Sequence, residues 1–427
     1  MNKGIRFKLF LMMVLEFFIW GAWFPLIFGY LPSLGFSASE QSWILNTFPI
    51  AAIVGMFFSN QFADRNFAAE KFLAVSHLIG GAAMLALPYV HTFWPFFLLM
   101  LVHCLLYVPT ISITNSIAFA NMKDAQSEFG IVRMGGTIGW ILAAWPFTFI
   151  LVDWDKVKAA NPQGMVEWLG TVLGSGLTGA ALQSGTTWTF IVAGAASLLL
   201  AGFSLTLPHV PPKRVEDGAG SGLAWLQSMK LLAIPFILVL WLVTFVDATV
   251  HNLFFNWAGR FLGSVGIPGN WIMPVMSIGQ VAEILTMAIL GGALKALGWR
   301  TTMIIGVLGH AARFAVFAFF PQYPGLIIAI NILHGICYAF FFATVYIFVD
   351  EFFPKDARAS AQGLFNLMIL GLGPLVANVV GPVLIGETFN QGGVVDFKSL
   401  FLMPCFAAIG AAVVLALFFR PPQKRVV

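Results

Sequence analysis

Pro208-His-Val-Pro-Pro-Lys-Arg-Val-Glu-Asp-Gly-Ala-Gly-Ser-Gly222 stands near the middle of a 427-residue chain and opens a segment, 208–228, unlike anything around it. Proline, glycine and charge of both signs mark a flexible linker. On either side the chain is dominated by apolar runs of about 18–25 residues, the length a helix needs to cross a bilayer. Six lie before the linker, near 9–30, 41–62, 72–90, 95–120, 132–152 and 187–207. Six follow, near 229–257, 271–293, 302–320, 324–349, 362–385 and 399–419. The expectation is an all-α membrane protein of twelve transmembrane helices: an N-terminal bundle over 1–207, a linker over 208–228 and a C-terminal bundle over 229–427.

Composition leads to the same place. Hydrophobic residues make up 59% of the chain and charged residues 9%, with mean hydropathy +0.89. A soluble domain carries about 25% charged residues, so the solvent for much of this surface is lipid. The net charge of +4 reflects where the basic residues fall and implies no nucleic-acid partner. With the N-terminus inside, sixteen of the 22 Lys and Arg are cytoplasmic, from Lys3, Arg6 and Lys8 to Arg420, Lys424 and Arg425. Lys156, Lys158, Arg260 and Lys398 lie outside, and Arg133 and Arg313 lie within spans. This bias predicts that both termini are cytoplasmic. The first apolar run is longer than a signal-peptide core and is expected to be the first membrane helix. Cys104, Cys337 and Cys405 sit in apolar stretches with no disulfide or metal-clip spacing and read as inert core residues.

Motors and enzymes leave signatures that this chain lacks. There is no Gly-x-x-x-x-Gly-Lys-[Ser/Thr] loop, no His-Glu-x-x-His and no Gly-x-Ser-x-Gly. The Gly-x-Gly-x-x-Gly at Gly174, Gly176 and Gly179 has no strand before it and reads as chance. No enzyme activity, cofactor or metal is expected.

A charge at the centre of a bilayer costs at least ~2.5–3.5 kcal/mol, so ionisable groups in the spans ask for a reason. Helical spacing sorts them into faces. Arg133, Thr137 and Trp140 share one face of span 5, and Glu16, Trp20 and Trp23 one face of span 1. Span 7 carries Asp247 with His251, Thr249 with Asn252, and Asn252 with Asn256. Span 8 carries Gln280 with Glu283, and span 10 carries His334 with Tyr338. Converging on a central cavity, these faces suit a neutral, hydroxyl-rich ligand with a flat ring: amides and carboxylates bind vicinal hydroxyls, and Trp140 or Tyr338 stacks. His77, His103 and His310 read as hydrogen-bonded core histidines, and Arg313 as a packing counter-charge.

Six helices, a cytoplasmic linker and six more is the plan of the major facilitator superfamily. Ala63-Asp64-Arg65 after span 2 resembles that superfamily's Gly-x-x-x-Asp-Arg loop, with Asn60 in place of Gly; the loop from Lys295 to Arg300 is a weaker echo. Within the superfamily, the chain resembles the bacterial nucleoside:proton symporters. The resemblance is carried by Arg133-Met-Gly-Gly-Thr137-Ile-Gly-Trp140, Ser277-Ile-Gly-Gln280-Val-Ala-Glu283 and Arg358-Ala-Ser-Ala-Gln-Gly363. Trp20-Gly21-Ala22-Trp23, Tyr107-Val-Pro109-Thr110 with Asn115, and Leu207-Pro-His-Val-Pro211 add to it. It runs through all twelve spans in order.

The resemblance implies proton-coupled nucleoside uptake across the bacterial cytoplasmic (inner) membrane, by two halves rocking about a midplane site. It implies substrate contacts at Arg133, Thr137, Trp140, Asn252, Gln280, Glu283 and Tyr338, with Thr249 and His334 where the family has Gln and Tyr. Ala339 stands where some members have an acid. Glu283 and Glu16, then Asp247 with His251, are the expected proton carriers. The expected partners are a small-molecule substrate, protons and the lipid bilayer, with the protein acting as a monomer. The rival readings are a sugar, glycoside or modified-nucleoside transporter of the same fold, and a non-transporting membrane receptor.

Overall fold

Long apolar segments in lipid must satisfy every backbone N–H and C=O internally, which leaves the helix as the natural answer. The structure, a computed structural model, describes residues 2–55, 66–122, 125–212, 229–353 and 358–421. Most of the linker, the Ala63-Asp64-Arg65 motif, Lys123, Lys355 and the C-terminal Lys424 and Arg425 lie outside the described residues.

The chain divides into two compact units: Met1–Arg214 with Trp257–Ser277, and Val215–Asn256 with Ile278–Val427. In the first unit, α1 (Lys3–Ser33) is followed by α2 (Ala38–Leu45) and α3 (Thr47–Val54), then α4 (Ala69–Ala86) and α5 (Phe93–Ala120). Next come α6 (Ala125–Ala144), the short α7 (Phe147–Ile150), α8 (Trp154–Ala160), α9 (Met165–Gly174) and α10 (Gly179–Ser204). α1 packs on α6 and α10, and α4 on α5 and α10. Gly139 lets α6 approach α1 closely, since a Cβ there would strike the Val14 backbone. Small residues at helix crossings are the usual device where lipid removes the hydrophobic drive for helices to associate.

α11 (Pro235–Ser264) crosses from the second unit into the first, and α12 (Ile272–Phe319) runs for 48 residues. α12 contains spans 8 and 9 in one element, broken at Gly298, whose φ of 74° is open to glycine at little cost. Span 10 is pieced together from α13 (Pro324–Ala329), α14 (Ile332–Cys337), a π-helical turn over Tyr338–Ala343 and α15 (Thr344–Phe352). Span 11 comprises α16 (Arg358–Asn366), a π turn at Leu367–Leu372, α17 (Gly373–Val383) and a further π turn at Leu384–Thr388. A small hairpin, β1 (Asn390–Gln391) with β2 (Val394–Val395), precedes α18 (Phe397–Phe418).

Nine helices among the described residues are long and apolar enough to cross a membrane, and one of them, Gly269–Phe319, is double length. The interrupted α2–α3 and the α6–α7 pair occupy the windows expected for spans 2 and 5. Large apolar side chains such as Leu199, Leu285 and Phe406 are exposed, as befits surfaces that face acyl chains.

Three details differ from expectation. α10 starts at Gly179, eight residues before the predicted span 6, and the preceding loop is partly helical. The hairpin at 390–395 adds a little sheet to an all-α chain. The end of α11 and the start of α12 are clasped by the loop of the first unit. There Asn270 Nδ2 donates to the Thr148 carbonyl (3.1 Å) and Trp271 Nε1 to the Leu173 carbonyl (2.7 Å). That loop is closed by the bridge between Val152 and Gly176.

Candidate functional site

Each unit carries its own set of polar and aromatic groups. In the first unit, the glycine-rich turn of α6 brings Arg133, Thr137 and Trp140 against α1. The Arg133 guanidinium lies over the Phe17 ring at 4.2 Å. Trp140 meets Trp20 edge-on (5.2 Å) and Phe24 at 6.1 Å, while Trp20 stacks on Phe48 at 4.6 Å. Thr137 is half-buried on the same stretch. The result is an aromatic shelf with one cation at its edge, suited to a flat ring.

Glu16, Trp20 and Trp23 do not act as one face. Glu16 turns to α4 and α5, fully buried: its Oε2 is 2.9 Å from His77 Nε2, and its Oε1 accepts from Thr110 Oγ1 (2.8 Å). Trp23 packs against His103. The proton count of the Glu16 network follows from its donors. Ser197 Oγ donates to the His77 carbonyl (3.0 Å), so His77 Nδ1–H donates to Ser197 Oγ (3.0 Å). One proton is then shared between His77 Nε2 and Glu16, and the pair is neutral overall.

In the second unit, Gly335 presses α14 onto α12, where a Cβ would strike the backbone of Gly279, Ala282 and Glu283. That crossing sets His334 beside Gln280, with His334 Nε2 and Gln280 Nε2 3.3 Å apart. Glu283 follows one turn along α12, half-buried. On α11, Asn252 Nδ2 donates to the Ala248 carbonyl (2.9 Å) and Thr249 Oγ1 to that of Phe245 (2.9 Å). Asn256 links to Asn378 of α17 (3.1 Å). Tyr338 opens the π turn, its ring 6.4 Å from His251 and 5.8 Å from Phe342. π turns are frequent at functional sites because they re-aim side chains.

The expected Asp247–His251 pair is not formed. Asp247 is fully buried and neither of its carboxyl oxygens has a hydrogen-bond partner, the nearest base being His310 Nε2 of α12 at 3.8 Å. His251 instead lays its ring on His334 at 4.7 Å. Arg313, read as a packing counter-charge, is buried and bonded to two histidines: 2.8 Å to His334 Nδ1 and 3.2 Å to His310 Nδ1. The signal was the i, i+3 spacing of His310 and Arg313 in an apolar span; their partner on α14 is invisible to spacing within one helix.

The family model described as nucleoside H+ symporter matches residues 3–174 and 164–424. The chain belongs to the nucleoside H+ symporter family. Among its relatives in Escherichia coli (strain K12), YegT is 32% identical over 437 residues, covering 98% of this chain and 95% of YegT. The nucleoside permease NupG of that strain is 27% identical over 446 residues, covering 99% of this chain and 96% of its own. A crystal structure of the nucleoside transporter NupG superposes with TM-score 0.78 at 23% identity, over 99% of this chain and 100% of that one. The symporter thus has the expected fold, a major facilitator arrangement, and is a transporter rather than an enzyme.

Proposed function

We propose that this symporter carries nucleosides together with protons across the bacterial cytoplasmic membrane by alternating access. Family membership supplies the class. The observation that carries the substrate reading is the Gln280–His334 contact, with Glu283, Asn252 and Tyr338 nearby in sequence or space. It is a ring-and-amide environment in lipid, where buried polarity is expensive. Arg133, Thr137 and Trp140 add a shelf for a base in the first unit. Thr249 and His334, in place of the family's Gln and Tyr, change the donors offered to the ligand.

The Lys and Arg bias supports cytoplasmic termini, and the working unit is taken as a monomer. Glu283, Glu16, Asp247 and His251 are the candidate proton carriers. Labelled uridine and adenosine should enter proteoliposomes, and unlabelled nucleosides should compete far better than ribose or disaccharides. Flux displaced equally by sugars would move the substrate class to glycosides, and binding without flux would make the protein a receptor.

A further inference from the structure

The second unit holds a buried cluster that substrate contact alone does not use. It is built from Asp247 on α11, His310 and Arg313 on α12, and His334 on α14, all nine-tenths or more buried. A guanidinium has five donors and no acceptor. Since Arg313 reaches Nδ1 of both His310 and His334, both ring nitrogens present lone pairs. Each imidazole is therefore neutral and carries its hydrogen on Nε2. His310 Nε2, which has no hydrogen-bond partner, lies 3.8 Å from Asp247 Oδ2. His334 Nε2–H faces the amide of Gln280, so the amide oxygen is the group that belongs toward it, and the tautomer of His334 fixes how that amide is turned.

The vacancies in this cluster are complementary. Both oxygens of Asp247 lack a hydrogen-bond partner, and so does the Arg313 Nε–H. A carboxylate there has lost its water and gained no hydrogen bond in exchange, a penalty that the protonated acid largely avoids. One proton on Asp247 changes the net charge of the cluster from zero to plus one. Two other titratable groups face it: His251, whose ring is 4.7 Å from His334 and 5.5 Å from His310, and Cys337 on the span 10 segment; Tyr338 lies 6.4 Å from His251, and Glu283 follows Gln280 by one turn of α12.

We propose that Asp247 takes up and releases the transported proton, and that His310, Arg313 and His334 relay its charge to Gln280. This rests on the reading of the protein as a proton-coupled nucleoside carrier. The proton comes from the water on one side of the membrane, adds to a carboxylate oxygen of Asp247, and leaves from the same oxygen to the water on the other. While Asp247 is charged, it draws the open side of Arg313 and competes with His334 for the guanidinium. Once Asp247 is neutral, Arg313 holds His334 in its Nε2–H form, Gln280 is oriented, and the ligand binds more tightly.

Uridine binding to purified protein, measured from pH 6 to 8.5, tests this. Wild type should weaken about fivefold or more as pH rises, the lower range of ordinary coupling. Asp247→Asn should bind at pH 8.5 nearly as tightly as wild type at pH 6, with gradient-driven accumulation in proteoliposomes lost. Glu16→Gln should keep the wild-type slope. A slope kept in Asp247→Asn, or lost in Glu16→Gln alone, overturns the assignment. Should Asp247→Asn not fold, Asp247→Glu carries the test: the slope should persist with a displaced midpoint, and an unchanged midpoint overturns the proposal. A wild type with no proton-driven uptake at all would instead remove the underlying function.

Discussion

Gln280→Ala removes an amide and Glu283→Gln a charge that would face the ligand, and leaving a buried ligand group unsatisfied costs about 2 kcal/mol, or roughly 30-fold in affinity. Gln280→Ala and Glu283→Gln should therefore lose nucleoside binding at that scale in isothermal titration, with the unfolding temperature little changed. Wild-type affinity in both would remove span 8 from the site. Trp140→Ala takes away the shelf that Trp20 and Phe24 brace. Aromatic stacking contributes about 0.5–1.5 kcal/mol beyond area, so nucleoside binding should fall about two- to thirteenfold while ribose binding hardly moves. Equal losses for the two ligands would argue against a stacked base. Spacing along one helix was enough to point at Gln280, Glu283 and Trp140, because it reports which side chains share a face. It could not reveal that Arg313 bonds His334, or that Glu16 is spoken for by His77 and Thr110, since those partners come from other helices.

At the scale of the element, the α12–α14 crossing depends on one missing side chain. Gly335→Ala places a methyl group against the backbone of Ala282 and Glu283. Overpacking of this kind costs about 1–3 kcal/mol, and it should lower the unfolding temperature and weaken nucleoside binding together, by parting His334 from Gln280. Gly292→Ala, on α12, meets nothing within 4 Å and should lower neither. In the loop that clasps Asn270 and Trp271, Asp153 caps α8 by accepting from Lys156 N–H (3.2 Å). That hydrogen bond, with the Lys156 ammonium, holds the Asp153 carboxyl below the usual carboxylate range. A lowered folded-state value means that the cap contributes above the ordinary carboxylate range and is lost as pH falls through the folded value. Hydrogen-exchange protection of 154–160 should decline there in wild type and be low at every pH in Asp153→Ala. Protection that ignores both changes would exclude the cap. None of these local devices is spelled out by hydropathy. Apolar runs announce crossings, but the π turns of spans 10 and 11 and the break at Gly298 arise from packing between helices.

For the molecule as a whole, the absence of a phosphate-binding loop from the sequence and the acids placed in the spans make the energy source testable. Uptake into proteoliposomes should rise with an inward proton gradient, collapse with a protonophore and need no ATP. Uptake indifferent to both would make the protein a facilitator. Fold class was legible from composition and from the linker with six apolar runs on each side, because lipid allows few alternatives. Where each crossing begins was less so: α10 and α11 are displaced from their apolar windows, since helices extend beyond the hydrocarbon into polar sequence.

Arg313, fully buried in a membrane-spanning helix, has an electrical consequence. With Asp247 ionised, the two charges cancel and the cluster is silent to voltage. With the proton aboard, the guanidinium is uncompensated, and a potential does work on it, about 2.3 kcal/mol per elementary charge for each 100 mV crossed in full. An interior-negative membrane therefore pulls the loaded carrier inward and leaves the return of the empty one untouched. Voltage would act as a ratchet on a single stroke of the cycle, and each nucleoside delivered would register as inward current.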